Sequence, residues 1–181
     1  QNARDRMDGF TEAVGDKFKQ VGRWEDDTDR GRAIDNVKTA MQQNPNLGMV
    51  VGIWSYNAPA IVKALEGSNK PDITVVAFDA EAPAIAAAAQ GKIHAMVVQN
   101  PFEMGYQSIR ILKAMIDKDE KTLKKLFPNA DKPDGDFYNT GLRIVVPEKS
   151  PLKKEMFAGK GDFFTAPEFQ KWLAERNLTS S

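Results

Sequence analysis

Two apolar runs, "ITVVAF" at 73–78 and "IHAMVV" at 93–98, each stop on a polar side chain, Asp79 after the first and Gln99 after the second. A buried strand gains nothing from ending on a carboxylate or an amide, so both ends must open onto something that needs hydrogen bonds. A third run, "LGMVVGIW" at 47–54, leads into Trp54, Ser55 and Asn57, and Asn100 follows Gln99. Carboxylate, amide and aromatic together form a sugar-binding inventory. A sugar hydroxyl both donates and accepts, so planar polar groups engage neighbouring hydroxyls in pairs, and an aromatic face covers the C–H surface. Each such bond to a charged group is worth about 1.5–3 kcal/mol, whereas a micromolar complex needs roughly 8 kcal/mol. Two or three bonds would barely hold a sugar. Simpler roles stand beside this one: Asp79 as the cap of the next helix, Gln99 and Asn100 as a strand-to-helix turn before Pro101, Trp54 as a core residue.

Other chemistry is poorly supported. The single histidine, His94, lies inside an apolar run with no metal-ligand partner nearby, which reads as a packed or edge position. The acidic cluster Glu25, Asp26, Asp27 and Asp29 has paired carboxylates but precedes a helix, where acids are favoured in any case. The loop "DKPDGDFYNTG" has the composition of a calcium loop without its twelve-residue pattern or closing Glu. Phosphate-loop, nucleophile-elbow and zinc-protease motifs are absent, as is cysteine. No catalytic residue, metal or cofactor is expected.

The 25 basic residues cancel the 25 acidic ones, so no net field draws this chain to nucleic acid or to an anionic membrane. An apolar fraction of 41% over 181 residues suits a folded globular chain. No apolar run has the roughly 18–20 residues of a membrane span, and "QNARDRMDGF" has no apolar leader segment.

Alternating elements must position these residues. Met7, Phe10, Val14 and Phe18 share one face of a helix over 3–19, and "QVGRWEDD" is a short strand candidate. Thr28 or Asp27 caps a second helix with a stripe of Ala33, Ile34, Val37, Ala40 and Met41. Asn57 caps a third, with Pro59 in its first turn; 82–90 forms an alanine-rich helix ended by Gly91; and a fifth helix runs from Pro101 to about Asp117. The charged run "DKDEKTLKK" reads as a surface turn, "GLRIVVP" as a strand, and Thr165 with Glu168 as a capping box ahead of Phe169, Trp172 and Leu173. Strict strand–helix alternation predicts an α/β fold, a parallel sheet flanked by helices, with a C-terminal extension. In such sheets ligands sit beyond the carboxyl ends of the strands, where Trp54, Asn57, Asp79 and Gln99 fall.

Four stretches in order, "NARDRMDGF" at 2–10, "VVAFDAE" at 75–81, "AAAQGKIHAMVVQNPFEMG" at 87–105 and "TGLRIVVP" at 140–147, resemble the type I periplasmic sugar-binding proteins, ribose-binding-protein-like members most of all. The resemblance implies two α/β lobes joined by three crossovers, with a monosaccharide or related polyol in the cleft between them, closed by hinge motion and passed to an ABC permease in the membrane. It carries ligand roles to Arg6, to the Trp54–Asn57 turn, to Asp79 and to Gln99. Two departures bear on which sugar is bound: Trp54 stands where ribose-type members have Asn, and Thr28 stands where they have a stacking aromatic, a surface that Trp54 or Trp24 would then supply.

The same resemblance implies that residues 2–99 are the C-terminal ligand-binding lobe. Residues 100–139 would be a crossover helix and loop docking on a missing N-terminal lobe, and 140–147 a return strand; residues 148–181, longer than in ribose-type members, are a C-terminal extension read as a strut packing on a lobe or hinge. The family has that whole lobe, and one more strand, ahead of "NARDR", so the natural protein is expected to be longer, exported and periplasmic. The expected function is substrate binding for an ABC-type sugar importer rather than catalysis. The effector-binding core of a lac-repressor-type regulator, which shares the fold, is the alternative, and a sugar-modifying enzyme comes third.

Overall fold

A computed structural model describes every residue of the chain except Pro71 and Asp134. The elements in chain order are α1 (Asn2–Val14), α2 (Arg30–Gln43), β1 (Met49–Gly52), α3 (Asn57–Glu66), β2 (Thr74–Phe78), α4 (Ala82–Ala89), β3 (Ala95–Gln99), α5 (Pro101–Ile116), α6 (Glu120–Leu126), β4 (Leu142–Val146), β5 (Asp162–Thr165) and α7 (Ala166–Ala174). The strands form one sheet in the order β1-β2-β3-β4-β5. It is an α/β sheet flanked by helices, as the alternation predicts.

β1, β2 and β3 run parallel, in the registers Gly52↔Ala77 and Ala77↔Met96. β4 is antiparallel to β3, with Gln99 opposite Leu142 and Met96 opposite Val145. The inversion has a simple cause. The chain leaves the carboxyl end of β3 through α5 and α6 and re-enters at that same end, so β4 starts where β3 stops.

The core lies between this sheet and the helices on it. Val75, Ala77, Met96, Val98 and Val145 are fully buried, as are Ala84 and Ala88 of α4 and Phe169 of α7. Alanines on α4 make a thin helix that sits close to the strands. Phe169 of α7 stacks on Trp172 at 5.8 Å and fills the remaining space. Residues 148–181 thus add a strand and a helix to the sheet itself. Gly161 opens β5, and a Cβ there would stand 2.6 Å from the Leu142 carbonyl, so only glycine lets the two strands approach.

Several local expectations are corrected. The first helix ends at Val14, because Gly15 takes φ +49° and Gly15–Lys17 forms a 3-10 turn, which leaves Phe18 half exposed. "QVGRWEDD" is not a strand: it pairs with nothing in the sheet, and a cleft of about 1240 Å³ separates it from the free edge of β1. The cap of α2 is Asp29, whose carboxylate accepts from the Arg32 amide at 2.8 Å. Asp27 and Thr28 have positive φ and cannot take the extended conformation of an N-cap. Asn57 is the first residue of α3 and its side chain turns back to the Trp54 amide instead of capping. "DKDEKTLKK" is not only a turn: it holds all but the last residue of α6, capped by Asp119 through the Thr122 amide. The loop weighed for calcium includes Asp134 and so lies partly outside the described residues.

If α7 belongs to the core, Phe169→Ala in the intact protein lowers stability by about 3–5 kcal/mol, the usual cost of removing a buried aromatic. Urea unfolding followed by circular dichroism measures it. An unchanged midpoint would mean that the extension is independent of the sheet.

Candidate functional site

The carboxyl ends of β1, β2 and β3 lie on one rim, and α1 lays Arg6 across it. The Arg6 guanidinium donates from Nη1 to the Ile53 carbonyl at 2.7 Å and to Asp79 Oδ2 at 3.2 Å. From Nη2 it donates to Asp79 Oδ1 at 3.4 Å and to Gln99 Oε1 at 2.9 Å. Its Cζ lies 5.0 Å from the Trp54 ring centroid and 4.8 Å from that of Phe78. A guanidinium stacked between rings and forked onto a carboxylate is held in both orientation and plane.

Local sequence explains each placement. Alternation along β2 buries Val75 and Ala77 and turns Phe78 to the opposite face, toward Arg6. Asp79 then has φ +64°, a left-handed conformation that Asp tolerates better than most residues. That turn directs its carboxylate at Arg6, so the helix-capping role falls away: the N-cap of α4 is Glu81. Gln99 ends β3 as Asn100 caps α5 by accepting from the Glu103 amide at 3.3 Å.

The structure therefore brings Arg6, Trp54, Asp79 and Gln99 into one cluster. Asn57 stands to its side: Oδ1 accepts from the Trp54 amide at 2.8 Å, and Nδ2 donates to Asp26 Oδ2 at 2.7 Å. Trp54 is half-buried and carries Arg6 on one face, so in this arrangement it supports the guanidinium. Four of the five N–H groups of Arg6 are engaged. The open capacity lies elsewhere, in the second lone pairs of the Asp79 oxygens and in Gln99 Nε2, which has no hydrogen-bond partner among the described residues.

Three residues of the rim have roles that the sequence reading does not assign. Alternation along β2 could have found Phe78, since it is the outward-facing residue next to Asp79. Asp26 gathers the Tyr56 hydroxyl, the Asn57 amide and the Thr28 backbone N–H, a convergence across some thirty positions that no local pattern announces. Arg30 forks onto Glu81 at 3.1 and 3.3 Å, and Glu81 also accepts from Ser55 Oγ at 2.8 Å. Burial works against ionising Glu81, but the Arg30 and Ser55 hydrogen bonds outweigh it and hold the carboxyl below its ordinary value. Burial, reinforced by the bond to Asp26, pushes the Tyr56 phenol up to about 12.

His94 is at the sheet margin, where Nδ1 accepts from the Val75 amide at 3.0 Å. Among the described residues no three His, Cys, Asp or Glu side chains stand together as metal ligands, and no helix is long and apolar enough to cross a membrane.

A sequence model of the periplasmic binding protein domain matches residues 1–120. The ribose import binding protein of Salmonella typhimurium is 27% identical over 124 residues, 68% of this chain and 42% of that protein. Its Escherichia coli counterpart is 27% identical over 145 residues, 80% of this chain and 45% of that protein. This chain thus spans less than half the length of these relatives. Among solved structures, a glucose-galactose binding protein from Geobacillus stearothermophilus superimposes with a TM-score of 0.67 at 23% identity, over 82% of this chain and 50% of its own. An ABC transporter solute binding protein from Burkholderia graminis, in complex with D-arabinose, gives 0.63 at 22% identity, over 88% and 50%. At these identities the structures establish a shared fold.

The rim makes one alkaline prediction. Unfolding returns Tyr56 from about 12 to the ordinary 10.0, so its contribution to stability is whole below pH 10 and is lost as pH rises toward 12. Ultraviolet titration of the folded protein should show a tyrosine ionising near 12 that Tyr56→Phe removes. If that variant leaves the high-pH step in place, the Tyr56–Asp26 contact is not as described.

Proposed function

The chain belongs to the periplasmic binding protein domain family, among its type I sugar-binding members, and we propose that it forms one wall of the sugar cleft of an ABC importer's substrate-binding protein. The observation that carries this reading is the single cluster of Arg6, Asp79 and Gln99 at the ends of adjoining parallel strands, with Trp54 and Phe78 fixing the guanidinium. Asp79 accepts from two neighbouring hydroxyls of a monosaccharide or polyol, Gln99 Nε2 donates to an oxygen beside them, and Arg6 leans toward the ring or hydroxyl oxygens without leaving Asp79. Asn57 borders the site from the Trp54 turn.

Such a cluster is one-sided, and on this reading a second, N-terminal lobe closes over it by hinge motion before an ABC permease takes the sugar in the periplasm. Two features support a covering lobe. On α5, Met104, Ile109, Leu112 and Met115 are 43%, 68%, 53% and 60% exposed, an apolar face that water disfavours. The cleft beside β1, lined by Val21, Trp24, Val37, Leu47, Val50 and Ile61, has room for the further strand that the family places ahead of α1.

A thermal-shift panel on the intact protein tests the ligand, with D-ribose, D-arabinose, D-glucose, D-galactose and polyols as probes. A sugar at a hundred times its Kd stabilises the folded state by about 2.7 kcal/mol. Asp79→Asn, which keeps shape but loses charge, is expected to weaken binding about 10- to 100-fold by calorimetry. Wild-type affinity in that variant would remove Asp79 from the site. For the lobe contact, Leu112→Lys in the intact protein should cost about 2 kcal/mol in urea, whereas no change would mean that this face meets solvent.

A further inference from the structure

The residues after Pro147 reach the site from behind. The Gln99 carbonyl, at the last residue of β3, accepts from Arg143 Nη1 at 3.2 Å and from Ser181 Oγ at 3.4 Å. Arg143 is only 6% exposed, its charge is not matched by any carboxylate within salt-bridge distance among the described residues, and its Nε is unpartnered. What faces its guanidinium is the Trp172 ring, 4.3 Å from Cζ. Arg176, just past the end of α7, lies 4.3 Å from the same ring and donates to the Trp172 carbonyl at 3.1 Å, so the indole is flanked by Arg176 as well as by Phe169 of its own helix. Just beyond the end of β2, Ser181 and Ala80 exchange both backbone hydrogen bonds at 3.1 Å, one residue past Asp79.

We propose that the C-terminal extension is a brace for the sugar site, in which Trp172 positions Arg143, and Arg143 with Ser181 fixes the Gln99 carbonyl, so that the Gln99 amide meets Arg6 and ligand in one orientation. Trp172, Arg143 and Ser181 are positioning residues; none touches the cluster's side chains. The physical case rests on the cost of the arrangement. A buried guanidinium with an unpaired N–H is unfavourable, and it persists because an aromatic face and the carbonyl it holds over-determine its place. That carbonyl is also at the joint where β3 passes into α5, so the brace acts on the residue that is both ligand group and hinge edge. The Ser181–Ala80 pair pins the second joint in the same way and keeps Asp79 in its left-handed turn.

The inference rests on the sugar-binding reading, and its test separates the two. In the intact protein, Trp172→Leu keeps an apolar side chain but loses the aromatic face, and Trp172→Phe restores a face. The readouts are the D-ribose and D-galactose dissociation constants, measured well below the unfolding midpoint, and the position of the Gln99 side-chain amide signal in the sugar-free protein. Trp172→Leu should weaken binding about 3- to 10-fold and move the Gln99 signal, whereas Trp172→Phe should lie near wild type in both. Wild-type affinity together with an unmoved signal would overturn the brace, as would weakened binding with an unmoved signal. If neither sugar binds the wild type, the ligand reading fails for these probes, and the Gln99 signal alone still decides the brace. Should Trp172→Leu fail to fold, Ser181→Ala removes one bond to the carbonyl without touching the core. A Gln99 signal unmoved by Ser181→Ala would then count against the proposal.

Discussion

The Arg6–Asp79 pair is the constraint on which the geometry of the rim depends. α1 buries none of its residues, so hydrophobic packing does little to locate it. What ties it to the sheet is one guanidinium, bonded to the ends of three strands and flanked by two rings. Each part has its place because of the others: Phe78 turns outward by strand alternation, Asp79 bends through positive φ, and Gln99 ends the strand beside it. A lysine at position 6 would keep the charge and lose the arrangement, because an ammonium has no plane to lie between rings and no fork for a carboxylate.

The sheet makes that pair possible by bringing strand ends level. Parallel neighbours joined by short helices finish at the same edge, and α4, with Ala84 and Ala88 wholly buried, is narrow enough to bridge β2 and β3 without pushing them apart. The inversion at β4 extends the logic. Because β4 begins opposite Gln99, residues of the last strand and of the extension arrive at the same rim as the first three strands, from the far side.

Much of this was legible in the sequence, for reasons that also mark where reading fails. β1 to β4 announce themselves as apolar runs of strand length, and the polar residues that follow β1, β2 and β3 mark the rim. β5 is not legible: "DFFT" is only four residues long, and its strand character depends on a partner, β4, that lies some twenty positions earlier in sequence. The reverse error has the same cause. "QVGRWEDD" has the length of a short strand, but without a neighbour at hydrogen-bonding distance such a segment is not a strand. The α2 cap, expected at Thr28 or Asp27, falls on Asp29 because of φ angles, which composition does not supply. In the candidate cluster, Asp79 and Gln99 could be read from strand ends alone and Arg6 only from the family resemblance, since nothing near Arg6 in sequence shows that it will cross to the sheet.

The engaged state of Arg6 bears on how a sugar could be held tightly by so few groups. Since four of its N–H groups already have partners, a ligand that took them over would exchange bonds rather than add them, and the net gain would be small. Bonds made to the unused lone pairs of Asp79 and to Gln99 Nε2 are additions, and they form against groups that need not be reordered. The cost of association falls when polar groups are already in their bound orientation. Affinity at such a rim is therefore governed less by the number of contacts than by how firmly Asp79 and Gln99 are held beforehand. The elements that hold them, a left-handed turn tied to Ser181 and a carbonyl bonded to Arg143, lie outside the cluster proposed to meet the ligand.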